Sequence, residues 1–74
     1  MSHYTTVVCL DSQGRPCKAD VTCGGSNKGF TDQESGQITF PMYSQDEYDV
    51  YAKRLGETVH ARVRGGREIV LRFR

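Results

Sequence analysis

Apolar residues recur at every second position along most of the chain. Val8 and Leu10 begin the pattern, followed by Ala19, Val21 and Cys23, by Ile38 and Phe40, and by Tyr48, Val50 and Ala52. Val59, Ala61 and Val63 continue it, and Ile69, Leu71 and Phe73 end it. A period of two predicts half-buried strands, whereas helices would repeat at 3.6. Turn-forming stretches separate the runs: Asp11–Pro16, Gly24–Gly29, Asp32–Gly36, Leu55-Gly56 and Gly65-Gly66. The pattern predicts six strands, over 5–10, 18–23, 37–41, 47–54, 57–64 and 67–74, with a short extra strand near 28–31. Ser44–Glu47 is the one segment suited to a helical turn. Short strands with regular turns predict an all-β fold, a sandwich or small barrel, in a single domain spanning residues 1–74.

Parity constrains the pairing of the last three strands, because a one-residue slip turns every apolar side chain outward. A two-residue turn at Leu55-Gly56 sets Ala52 opposite Val59, Val50 opposite Ala61 and Tyr48 opposite Val63. On the other face it sets Glu47 against Arg64, Asp49 against Arg62, Arg54 against Glu57 and Tyr51 against His60. The register follows from apolar parity alone, so the opposite-charge pairs are independent support for it. A three-residue loop Gly65-Gly66-Arg67 extends the same sheet, with Val63 facing Ile69, Ala61 facing Leu71, Val59 facing Phe73, Arg64 facing Glu68 and His60 facing Arg72. The predicted core is Val8, Leu10, Ala19, Val21, Ile38, Phe40, Tyr48, Val50, Ala52, Val59, Ala61, Val63, Ile69, Leu71 and Phe73, with Cys23 in phase with it.

Composition narrows the functional classes. At 74 residues there is no room for a second domain or an interdomain cleft. Hydrophobic residues make up 36%, which suits strands that face water on one side. Ten basic against nine acidic residues leave +1, too little field to draw the chain onto nucleic acid or an anionic membrane. The excess is local: five Arg and one Glu lie between Arg62 and Arg74. The longest apolar run, Val7–Leu10, is far short of the roughly 20 residues of a membrane helix. Met1–Tyr4 has no signal-peptide character, and three cysteines are an odd count without a CxxC pair. The expectation is a cytoplasmic protein with reduced thiols, or an extracellular one if the domain is cut from a longer secreted chain.

One ordered pattern is more specific. Val8-x-Leu10-Asp11-x-x-Gly14-x-Pro16 leads to Ala19-x-Val21, then to Gly29-Phe30-Thr31-Asp32-x-x-x-Gly36-x-Ile38-x-Phe40, then to Tyr48-x-Val50-x-Ala52. Over residues 7–52 this resembles the carboxypeptidase regulatory-like, or transthyretin-like (prealbumin-type), β-sandwich domains. The resemblance implies a small immunoglobulin-like or prealbumin-like sandwich of six or seven antiparallel strands, in which these residues are structural. It also implies a non-catalytic accessory or adhesion module that makes protein or carbohydrate contacts. One enzymatic branch of the fold, the 5-hydroxyisourate hydrolases, uses paired His and Arg residues and ends in Tyr-Arg-Gly-Ser. This chain ends Leu71-Arg72-Phe73-Arg74 and has only His3 and His60, so that activity does not carry over.

The remaining candidate chemistry is sparse. Cys9, Cys17, Cys23 and His3 are zinc-ligand types, but seven and five intervening residues are not the short spacing zinc knuckles use. A Cys–His nucleophile needs a base beside the thiol, and His60 falls on an exposed face away from the cysteines. No metal, no cofactor and no enzymatic activity is expected. The expected role is a binding or structural module that contacts proteins. The alternative is single-stranded nucleic acid on a C-terminal Arg-rich face. The candidate binding residues are Tyr51, His60, Arg62, Arg64, Arg67, Arg72 and Arg74, together with the Gly24–Gly29 loop. Arg67, Arg72 and Arg74 also suit a charged guard on a terminal sheet edge.

Overall fold

A computed structural model describes residues 3–74. The chain is all-β, with strands β1 (His3–Leu10), β2 (Asp20–Cys23), β3 (Ser26–Phe30), β4 (Gln37–Met42), β5 (Glu47–Arg54), β6 (Glu57–Arg64) and β7 (Glu68–Arg72). They form a three-stranded sheet in the order β4-β1-β7 and a four-stranded sheet in the order β3-β2-β5-β6. The inward side chains of both sheets share one core. Val7, Cys9, Phe40, Met42 and Leu71 come from the first, and Val21, Cys23, Val50, Ala52 and Val63 from the second. Ala19, Cys17 and Phe73 fill the ends, and Ile38, Tyr48, Val59, Ala61 and Ile69 pack against it half-buried.

The β5–β6 hairpin has the register the sequence predicts, from Glu47↔Arg64 through Tyr51↔His60 to Arg54↔Glu57. Its two turn residues both have positive φ, 49° at Leu55 and 81° at Gly56, as a type I′ turn requires. Leu55 is also 89% exposed, so its side chain gains little for a conformation that costs an L-residue roughly 1–2 kcal/mol. Leu55→Asn is therefore expected to raise the urea midpoint, by about 1 kcal/mol of stability. A lower midpoint would show that the leucine makes a stabilising contact.

Four expectations are corrected. First, β7 does not return along β6. Arg67 N–H closes a turn onto the Arg64 carbonyl. The chain then crosses to the other sheet, where β7 runs parallel to β1, with Val7 beside Ile69 and Cys9 beside Leu71. The strands are thus not all antiparallel, and neither Arg64–Glu68 nor His60–Arg72 are cross-strand neighbours. Parity reports which side chains face the core and not from which sheet they do so. Ile69, Leu71 and Phe73 point inward either way.

Second, β1 is turned over: Thr5, Val7 and Cys9 are buried, while Val8 and Leu10 point outward, half-exposed. The run Val7–Leu10 is apolar at both parities. The flanking threonines decide it. Thr5 is satisfied inside, its Oγ1 accepting Gly66 N–H at 2.9 Å, and Thr6 lies outside with its hydroxyl 3.0 Å from that of Thr39. Third, Gly24–Gly29 is not an open loop. Gly24-Gly25 makes a tight turn, and residues 26–30 pair with β2 across a register shift at Val21/Thr22. Fourth, Ser44–Asp46 is a bend and not a helical turn. Gly65 N–H donates to the Asp46 carbonyl there.

The turns of the quoted pattern act structurally. Asp11 Oδ1 accepts the Gln13 and Arg15 N–H groups, each at 2.9 Å. Buried Thr31 accepts Ala19 N–H and donates to the Cys17 carbonyl, both at 2.8 Å. It ties the segment before β2 to the end of β3. The Thr31–Gly36 stretch then crosses between sheets and does not close a hairpin.

Candidate functional site

Two broad sheet faces and the flank between them carry the exposed chemistry. On the four-stranded sheet, alternate residues of β2, β5 and β6 point outward. Thr22 pairs with Tyr51 and Tyr51 with His60, so these three form one row across the strands. The Tyr51 and His60 rings stack, with centroids 4.5 Å apart and planes 14° from parallel. His60 Nε2 donates to Asp49 Oδ1 at 3.0 Å, and Arg62 Nε donates to the same oxygen at 3.3 Å. The hydrogen bond from His60, reinforced by that from Arg62, holds the Asp49 carboxyl below the usual carboxylate range. At the far edge, Asn27 Nδ2 donates to Asp20 Oδ1 at 2.6 Å. This face is polar, with Asp49 paired to both His60 and Arg62.

The arginines are divided. Arg62 and Arg64 lie on this face, and Arg64 stands opposite Glu47. Arg67 sits in the turn after β6. Arg72 belongs to the other sheet, where its guanidinium donates to the Ser12 carbonyl at 2.6 Å. Arg74 N–H donates to Glu57 Oε2 at 3.0 Å. Arg72 and Arg74, with Glu57, Thr58 and Val59, line a recess of about 530 Å³ on the flank where the edges of β6 and β7 approach. The seven candidate residues therefore do not make one Arg-rich face. The crossing of β7 separates Arg72 from Arg62 and Arg64.

The outer face of the three-stranded sheet differs in character. Tyr4 pairs with Pro41, Thr6 with Thr39, and Val8 with both Gln37 and Val70; Leu10 lies beside Arg72. Tyr4 is 67% and Val70 54% exposed, Pro41 is exposed, and Val8 and Leu10 are half-exposed. Tyr4, Val8, Leu10, Pro41 and Val70 make an apolar band that the polar row Thr39-Thr6-Glu68 crosses between Tyr4 and Val8, with Gln37 and Arg72 at its edges. The sequence pattern does not reveal it, because alternation places Val8 and Leu10 in the core. No local signal marks it, because Thr5 and Thr6 flank the run identically at both parities and the choice is set by the distant Gly66 N–H that Thr5 accepts.

The thiols sit in the interior. Burial, with Cys17 nearby, pushes the Cys9 thiol to about 11. Burial also raises Cys17 and Cys23, so all three are protonated at neutral pH. Cys9, Cys17 and Cys23 are unbridged. Among the described residues, no three His, Cys, Asp or Glu side chains gather as a metal site, and no helix is long and apolar enough to cross a membrane. No known protein family matches the chain, and no curated protein matches it.

Proposed function

We propose that this chain is a prealbumin-like β-sandwich module that binds other proteins and does not catalyse a reaction, with the outer face of the three-stranded sheet as its contact surface. The observation that carries this reading is the apolar band of Tyr4, Val8, Leu10, Pro41 and Val70. Aromatic and aliphatic side chains grouped on a flat exposed face, with few charges, have the composition of an interface centre. The polar face around Tyr51 and His60 has the opposite balance. Buried, protonated thiols and a histidine held by Asp49 supply no activated nucleophile, which supports a non-catalytic role. Two sheets around one core support the sandwich assignment. Three reduced thiols suit a reducing compartment such as the cytoplasm.

The second reading, single-stranded nucleic acid, draws on the Tyr51–His60 stack beside Arg62 and Arg64. Glu47 and Asp49 oppose those arginines, which disfavours it. Affinity capture from lysate separates the two. The wild type is expected to recover a protein that Tyr4→Lys/Val8→Lys loses and Tyr51→Ala/Arg62→Ala keeps, and to leave a labelled oligonucleotide free at low salt. Salt-sensitive oligonucleotide binding abolished by Tyr51→Ala/Arg62→Ala would overturn the proposal in favour of nucleic acid.

A further inference from the structure

The four sheet edges differ in what they offer another strand. On β4 the groups that face away from β1 belong to Gln37, Thr39 and Pro41, because Cys9 N–H bonds the Gly36 carbonyl on the opposite parity. Pro41 has no N–H, so this edge is blunted. On β3 the ladder is broken by the shift at Val21/Thr22. On β6 the Gly65 N–H points to β5, so Thr58, His60, Arg62 and Arg64 face outward. Pairing β6 with its own copy would oppose like charges.

The β7 edge lacks all three defences. Thr6 N–H bonds the Arg67 carbonyl, and Phe73 N–H bonds the Leu10 carbonyl. Odd-numbered residues therefore address β1. The N–H and C=O groups of Glu68, Val70 and Arg72 point away from it, and among the described residues no strand lies beyond. A two-fold axis at Val70 pairs this strand with a second copy, residue for residue. Val70 meets Val70, and Glu68 meets Arg72 twice. All three outward-pointing residues then fall at hydrogen-bonded positions of an antiparallel ladder, with both charge pairs attractive. The contact is isologous, so it closes at a dimer.

We propose that β7 pairs antiparallel with β7 of a second copy in this register, joining two three-stranded sheets into one of six strands. The two apolar bands become continuous across the axis. This inference rests on the edge and not on the outer-face reading, since Tyr4 and Val8 take no part in it. Sedimentation of the purified protein over a dilution series up to about 1 mM should show a monomer–dimer equilibrium. Glu68→Arg and Arg72→Glu should each weaken it about ten-fold, and the double variant Glu68→Arg/Arg72→Glu should restore it. Val70→Pro removes an N–H that β1 does not use, at an exposed edge position where proline is tolerated, so it should keep the wild-type circular dichroism and be monomeric. A protein monomeric throughout the series, a double variant no tighter than the single ones, or a Val70→Pro variant that dimerises like wild type would each overturn the proposal.

Discussion

Phe73→Ala is expected to destabilise the protein by about 3–5 kcal/mol. Phe73 directly follows β7 and lies outside any strand. Here it is 2% exposed and heads the fully buried side chains in size. Its backbone is anchored too, since Phe73 N–H donates to the Leu10 carbonyl at 2.8 Å. A 74-residue domain at the usual 0.05–0.15 kcal/mol per residue has about 4–11 kcal/mol in total. Losing the ring therefore removes a large share of it. Urea unfolding followed by circular dichroism should show the midpoint collapse. Phe30→Ala, at a ring 61% exposed beneath Lys18, should cost less than about 1 kcal/mol. Equal effects from the two would show that the Phe73 ring does not close the core.

Gly65→Ala is the second large effect, at about 3 kcal/mol or more. A Cβ at Gly65 would lie 1.9 Å from the Ser44 carbonyl oxygen, a contact that only backbone movement relieves. That movement would break the Gly65 N–H to Asp46 bond at 3.2 Å, which ties the β6 end to the β4–β5 connection. Gly25→Ala is the control. Its Cβ meets open space, and only its φ of +80° opposes the substitution, at roughly 1–2 kcal/mol. Differential scanning calorimetry should place the Gly65→Ala transition well below that of Gly25→Ala. The reverse order would show that the Gly65–Ser44 approach is not tight.

These two positions mark where sequence reading reached and where it stopped. Phe73 is predicted to be buried from parity alone, and it is. Parity does not say in which sheet, so the same argument that pairs β5 with β6 correctly at every position sends β7 to the wrong neighbour. Gly65-Gly66 reads as a hairpin loop because glycine pairs usually are one. Here the turn instead releases the chain across the core. Val8 and Leu10 fail for a different reason: four apolar residues in a row satisfy both faces, and the choice falls to Thr5, whose partner Gly66 is 61 residues away. The candidate site inherits both errors. The Tyr51, His60, Arg62 and Arg64 cluster was legible because it lies within one local hairpin. The apolar band was not, because it needs the orientation of β1 and the placement of β7 together.

The contact surface is tested most directly by photocrosslinking from each outer face in cells. Benzoylphenylalanine replaces Tyr4 in one protein and Tyr51 in another, both exposed aromatic positions on opposite faces. Adducts to a second protein are expected from position 4 and not from position 51. Adducts from position 51 alone would contradict the account and move the contact surface to the four-stranded sheet.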